Sequence, residues 1–226
     1  MSKLSLLDDK IWFPPPEEAQ EDGLLAYGGD LSEERLLLAY RSGIFPWFED
    51  ELPWLEESLP LWWHPDPRFV LYPKDLKISK SMRKILEKGQ FEFKVNSDFE
   101  QVIRACQKIE RKDQGGTWIT NSMIEAYSRL HLSGTAFSAE AWLDGKLVGG
   151  LYGVLLGKVF FGESMFSHAS NASKFAFIHW VKLLESKGIE LIDCQMHTKH
   201  LESLGATFVS RQKFMDLLNQ FIPPLN

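Results

Sequence analysis

Two short stretches of the chain set polar side chains among apolar neighbours in a way that suits chemistry. In Phe160-Phe161-Gly162-Glu163-Ser164-Met165-Phe166-Ser167, a carboxylate follows two aromatics near the end of a predicted strand. Glu163 is either a solvated surface group or a group aimed into a cleft. In a cleft it can bind an amine, and desolvation raises its pKa unless a cation is near. In Leu191-Ile192-Asp193-Cys194-Gln195, period-two alternation puts Leu191, Asp193 and Gln195 on one strand face and Ile192 and Cys194 on the other. A buried acid is costly without a partner. Asp193 is therefore either satisfied by backbone donors or joins Gln195 in orienting or deprotonating an amine nucleophile. Cys194 is expected to face away, which disfavours a thiol nucleophile.

Other chemistries find less support. His179, His197 and His200 lack the i, i+4 spacing of a helical metal pair and an evident acidic third ligand, so no metal is expected. Ser164 and Ser167 have no Gly-x-Ser-x-Gly setting. Gly28-Gly29 and Gly149-Gly150 form neither a Walker loop nor Gly-x-Gly-x-x-Gly. The two cysteines, Cys106 and Cys194, are too few for a disulfide scaffold, and a reducing cytoplasm is the expected compartment. The N-terminus lacks the apolar run of a signal peptide, and no membrane span is expected.

Charge is unevenly placed. The formal net charge is −6, but residues 1–62 hold four basic residues against fourteen carboxylates, a net of −10, which leaves +4 for the remainder. Lys74, Lys77, Lys80, Arg83 and Lys84 are opposed only by Asp75. This run is either a solvated helix face or a surface for a polyanion. Four of the eight tryptophans fall between residues 47 and 63.

The elements that must position these groups can be read in outline. Prolines interrupt the first 62 residues too often for long elements. Ser32 caps a helix running to about Ser42, with Leu36, Leu37, Ala39 and Tyr40 on its buried side. A boundary near residue 63 separates units 1–62 and 63–226. Beyond it, a basic helix spans Ser79 to Lys88, a strand spans Phe91 to Val95, and Ser97 or Asp98 caps a helix to Lys108. Asn121 caps the next helix. Three strands follow at 136–143, 147–155 and 159–164, the first two joined by an Asp144-Gly145 turn. Asn171 starts a long helix, and a strand at 191–195, a short helix, a strand at 206–209 and a last helix complete the chain. The fold class is α+β.

A meander feeding a strand, a long helix and another strand resembles the GNAT acyltransferase architecture, in which two central strands splay and an acyl donor lies in the gap. Coenzyme-A-using members carry an Arg/Gln-x-x-Gly-x-Gly/Ala loop before the long helix. Here that place reads Ser167-His168-Ala169-Ser170-Asn171-Ala172-Ser173, without the backbone cradle for pyrophosphate. The basic segment and Trp47, Trp63 and Trp118 point instead to an esterified RNA end, because an aromatic can stack on an unpaired terminal base.

Read in order, the motifs resemble those of leucyl/phenylalanyl-tRNA–protein transferases. They are Phe13-Pro14, the stretch from Gly23 to Leu31, Gly43-Ile44-Phe45-Pro46-Trp47-Phe48, Trp62-Trp63-His64-Pro65-Asp66-Pro67-Arg68, Gly116-Thr117-Trp118-Ile119-Thr120, Val148-Gly149-Gly150-Leu151-Tyr152-Gly153, Phe161 to Ser167, Asn171-Ala172-Ser173-Lys174 and Leu191 to Gln195. The resemblance implies a small N-terminal domain, a GNAT-like C-terminal domain and no metal or coenzyme. It implies transfer of Leu or Phe, less readily Met, from aminoacyl-tRNA to the N-terminus of proteins beginning with Arg or Lys, marking them for N-end rule degradation. It places adenosine stacking on Trp47 and Trp118, and the catalytic acid and amide on Glu163, Asp193 and Gln195. The side-chain pocket falls on Leu151, Phe160, Met165 and Ile192, and tRNA binding on Lys80, Arg83 and Lys84. A cytoplasmic monomer is expected. An acetyl-coenzyme-A-dependent acetyltransferase, a non-catalytic RNA-binding module and a transferase acting on peptidoglycan precursors are the competing readings.

Overall fold

The computed structural model describes residues 4–47, 59–109 and 119–224. Two sheets organise them. The first is built from β1 (Ser5–Leu7), β2 (Leu24–Gly28), β3 (Phe45–Pro46) and β4 (Leu61–Trp63), in the order β1-β2-β4-β3. Helix α1 (Glu33–Arg41) lies between β2 and β3 in the chain. Ser32 caps it by accepting from the Arg35 N–H, and Gly43 follows at φ 69°.

The chain changes sheet between Trp63 and β5 (Arg68–Leu71). Then come α2 (Lys80–Lys88), β6 (Glu92–Val95), α3 (Phe99–Lys108), α4 (Asn121–Leu132), β7 (Ala136–Leu143), β8 (Lys146–Leu156), β9 (Val159–Ser167), α5 (Ala172–Ser186), β10 (Leu191–Gln195), α6 (Lys199–Ser203), β11 (Thr207–Val209) and α7 (Arg211–Phe221). The second sheet runs β11-β5-β10-β9-β8-β7-β6 and is antiparallel except for the β9–β10 pair. It is the mixed, mostly antiparallel sheet that the strand spacing predicts.

Local chemistry sets these elements. Asp144 and Gly145 both take positive φ, 49° and 72°, as a two-residue hairpin turn requires. Asp98 and Thr120 cap α3 and α4, so the α4 cap lies one residue before the expected Asn121. The strands β1 to β5 were not legible: each has two to five residues, too few for period-two alternation to show.

One apolar cluster joins the two sheets. Leu36, Tyr40, Phe45 and Trp62 of the first unit pack with Tyr127, Tyr152, Phe161 and Phe214 of the second. A separate cluster on the opposite sheet face lies under α5, with Phe160, Phe175, Trp180 and Leu184. Both faces of the central strands are therefore dry, and any polar group on them must find a partner inside.

Gly153 sits beside the register shift between β8 and β9. A Cβ there would lie 2.1 Å from the Phe161 carbonyl oxygen and 2.6 Å from the Phe160 ring. The first contact is with backbone, which cannot rotate aside. Gly153→Ala is expected to lower unfolding free energy by about 1–3 kcal/mol, read by denaturant titration; unchanged stability would show that β8 and β9 can part without loss.

Candidate active site

Strands β9 and β10 pair in parallel only over Leu191↔Val159, Ile192↔Phe160 and Asp193↔Phe161. Beyond that point β9 continues to Ser167 while β10 ends at Gln195. A cavity of about 460 Å³ opens in the gap. Leu151, Met165, Phe177 and Ile192 are among its apolar lining, Glu163, Asp193 and Gln195 among its polar lining, and Trp47 also borders it.

A bulge places Glu163. Tyr152 pairs with Ser164 and Gly153 with Gly162, so Glu163 has no partner across the ladder. Its side chain is buried and accepts three hydrogen bonds. The Tyr40 hydroxyl donates to Oε1 and the Tyr127 hydroxyl to Oε2, each at 2.9 Å, and Gln195 Nε2 donates to Oε1 at 3.1 Å. The two tyrosine oxygens also touch each other. No cation sits in this group, and burial pushes the Glu163 carboxyl up to about 7 despite the three donors. Burial likewise holds both phenols well above their ordinary range.

Asp193 lies on the same strand as Gln195 but has a different environment. Arg68 of β5 donates Nε to Oδ1 at 2.8 Å and Nη2 to Oδ2 at 2.7 Å. The Gln195 N–H donates to Oδ1 at 2.9 Å. Acid and guanidinium are both fully buried. The guanidinium carbon stands 4.6 Å from the Phe45 ring centroid and 4.7 Å from that of Phe214. The Asp193 partner is thus a side chain, Arg68, rather than backbone donors alone, and Asp193 also lines the cavity. Its bond to the Gln195 N–H fixes the end of β10, where the register shifts and Gln195 takes φ 61°. Gln195 donates Nε2 to Glu163 and lines the cavity.

The remaining expected residues are placed as follows. Leu151, Met165 and Ile192 line the cavity together. Phe160 does not: it is buried in the core under α5, edge-on to Trp180 at 5.3 Å, because alternation along β9 turns it towards that helix. Phe177 of α5 lines the cavity wall. Trp47 is half-buried, its carbonyl accepting from Trp63 Nε1 at 2.9 Å. Trp118 lies outside the described residues. Lys80, Arg83 and Lys84 are exposed on α2, which packs against α5. Cys194 borders the cavity, but burial pushes its thiol up, away from the thiolate. His179 packs between Phe93 and Phe175, and His197 bonds to Glu202 at 3.0 Å. Among the described residues no three His, Cys, Asp or Glu side chains are grouped to hold a metal ion.

Several backbone donors of the turn before α5 are bonded within the protein. His168 and Ala169 donate their N–H groups to the Val148 carbonyl, Ala172 to Ala169, and Ser173 to the Ser167 hydroxyl. These four backbone donors are committed within the protein, so they offer no open cradle.

Tyr40, Tyr127 and Arg68 were missed as site residues. Tyr40 was read only as core, although a buried phenol needs a polar partner. Arg68 stands in a quoted motif, yet nothing local in the sequence links it to Asp193, 125 residues away.

Comparisons with known proteins agree along the chain. The family model described as leucyl/phenylalanyl-tRNA protein transferase matches residues 70–219, and that of its N-terminal domain matches residues 29–66. The leucyl/phenylalanyl-tRNA–protein transferase of Nitrosospira multiformis is 56% identical over 212 residues, covering 93% of this chain and 88% of that protein. That of Flavobacterium johnsoniae is 55% identical over 208 residues, covering 92% and 95%. Among solved structures, L-PGS from Bacillus licheniformis matches with TM-score 0.43 and 13% identity over 86% of this chain and 71% of that one. A GCN5-related N-acetyltransferase-like protein from Streptococcus suis matches with TM-score 0.36 and 17% identity, over 63% and 59%.

The buried ion pair makes a stability prediction. Asp193→Ala strands the Arg68 cation and is expected to cost about 3–5 kcal/mol. The double variant Arg68→Met/Asp193→Leu should recover much of this, because no buried charge is left alone. A double-mutant cycle by chemical denaturation checks it; additive losses would show that the two groups do not stabilise each other.

Proposed function

The chain belongs to the leucyl/phenylalanyl-tRNA–protein transferase family and is an aminoacyltransferase, and we propose from that premise that it moves Leu or Phe, less readily Met, from aminoacyl-tRNA to the α-amine of proteins beginning with Arg or Lys. The product is a peptide bond and a new N-terminus that marks the protein for N-end rule degradation. The observation that carries this reading is the cavity between the diverging strands, lined by apolar Leu151, Met165, Phe177 and Ile192 and by polar groups that include Glu163, Asp193 and Gln195.

The parts fit an activated ester. An aminoacyl ester needs no further activation, so positioning against the amine supplies most of the catalysis. The apolar wall takes an unbranched-Cβ side chain. It should reject Ile or Val by about 1–3 kcal/mol of misfit per methylene-sized group. Trp47 stands at the cavity edge where the terminal adenosine can stack, and Trp118 is proposed as its companion. The exposed cations Lys80, Arg83 and Lys84 are proposed to meet tRNA phosphates, which makes affinity fall with salt. The Gln195 amide oxygen is proposed to orient the attacking amine. The acidic unit 1–62 favours basic protein N-termini electrostatically and supplies Trp47 and Tyr40 to a site otherwise built on 63–226. The committed donors ahead of α5 support a donor other than an acyl coenzyme A. Among the described residues no helix is long and apolar enough to cross a membrane.

Radiolabelled Leu on its tRNA should transfer to a peptide with a free N-terminal Arg and not to the acetylated peptide. Trp47→Ala should weaken the charged-tRNA complex by about 1–3 kcal/mol, roughly fivefold to 150-fold. Absence of transfer, with coenzyme A bound instead, would replace this reading by that of an ordinary acetyltransferase.

A further inference from the structure

Tyr40 of α1, Tyr127 of α4 and Glu163 of β9 make three oxygen–oxygen contacts: Tyr40 with Glu163 Oε1, Tyr127 with Glu163 Oε2, and Tyr40 with Tyr127. Each contact needs one proton between its oxygens. The two phenols supply two protons. With Glu163 ionised, both phenols donate to the carboxylate, and the Tyr40–Tyr127 contact brings two lone pairs face to face. A third proton removes the conflict. Glu163 Oε2–H then donates to Tyr127, Tyr127 donates to Tyr40, and Tyr40 donates to Glu163 Oε1. The ring closes with every contact satisfied.

We propose that Tyr40, Tyr127 and Glu163 form a closed proton-holding ring, and that Glu163 in its ionised form is the base for the incoming amine. This rests on the aminoacyl-transfer reading. The acceptor enters as an ammonium. One of its protons passes to the Glu163 carboxylate, which borders the cavity, and the ring closes. The neutral amine attacks the ester carbonyl, a C–N bond forms, and the C–O bond to the ribose breaks. A second nitrogen proton goes to the departing ribose oxygen. The ring returns its proton to solvent before the next turnover. Glu163 is the catalytic residue; Tyr40 and Tyr127 are positioning residues.

The surroundings favour a group that titrates close to neutrality. Gln195 donates to Glu163 from β10. Tyr152 of β8 packs edge-on to Tyr127 at 5.4 Å. Asp193 raises Glu163 through its charge, but its own oxygens are held by Arg68 of β5. No cation therefore neutralises Glu163 directly among the described residues. Burial is the largest cause of its rise to about 7, and the donors moderate it. The folded pKa exceeds that of a free carboxyl, so the protonated ring stabilises the fold at low pH. That contribution is lost as pH rises through about 7, where the base form appears.

Infrared difference spectroscopy of the substrate-free protein tests the ring without any reaction. Between about pH 5 and 9, wild type should lose a protonated-carboxyl C=O band with a midpoint near 7. Glu163→Gln should lack that band. In Tyr40→Phe and Tyr127→Phe the band should remain at a changed frequency, because one of its hydrogen bonds is gone. A wild type without the band, or a Glu163→Gln protein that keeps it, would overturn the ring. Leucyl transfer to an Arg-peptide tests the base. Wild-type kcat/KM should rise with pH through about 7. In Glu163→Gln turnover should fall roughly 10²–10⁴-fold and that limb should vanish. Wild-type turnover with the limb intact in Glu163→Gln would overturn the base role. A wild type that shows the band but transfers no Leu would retain the ring while defeating both the base role and the transferase reading.

Discussion

A guanidinium and a carboxylate taken out of water each lose solvation worth several kcal/mol, and only close geometry offsets that. The Arg68–Asp193 pair meets the requirement with two hydrogen bonds and with the guanidinium carbon over the Phe45 and Phe214 rings. Four separate elements converge to make it: Phe45 from β3, Arg68 from β5, Asp193 from β10 and Phe214 from α7. The pair thus couples the first sheet to the second at the point where β10 stops pairing with β9. Asp193 Oδ1 also holds the Gln195 N–H, and Gln195 in turn reaches Glu163. The polar side of the cavity depends on this chain of contacts.

Two carboxylates a strand apart therefore behave differently for one reason. Asp193 has a cation at hydrogen-bond distance, and Glu163 has only neutral donors. Burial without a cation pushes Glu163 up to about 7, whereas both Asp193 oxygens accept from Arg68. A site that must accept a proton from an ammonium needs the first kind of group. A site that must hold an amide in a left-handed backbone position needs the second.

The sequence carried the longer elements well. The helix cap at Ser32, that at Asp98 and the hairpin at Asp144-Gly145 are local signals, and the structure uses each of them. The splayed strand pair was implied by the resemblance to the GNAT architecture. What stayed hidden was long-range. Arg68 meets Asp193, and Tyr40 meets Glu163 across 123 residues, through contacts that no spacing rule encodes. Alternation placed Asp193 and Gln195 on one face, yet the bulge between them separates their tasks. Phe161 and the bulged Glu163 face the tyrosines, and Phe160 turns to the core under α5.

The small first unit is more than an attachment to the catalytic sheet. Tyr40 sits on α1, and its hydroxyl is one of three donors on Glu163. Trp47 follows β3 and edges the same cavity. The apolar cluster that joins the sheets runs directly beneath these residues, with Phe161 tilted against Tyr40 at 5.0 Å. Separating the units would expose that cluster and remove a proton donor from the buried carboxyl. Exposure would also restore solvent to Glu163 and remove the desolvation that raises its pKa. The acid–base character of the site is thus a consequence of how the two sheets pack, because neither sheet alone can keep Glu163 dry and hydrogen-bonded.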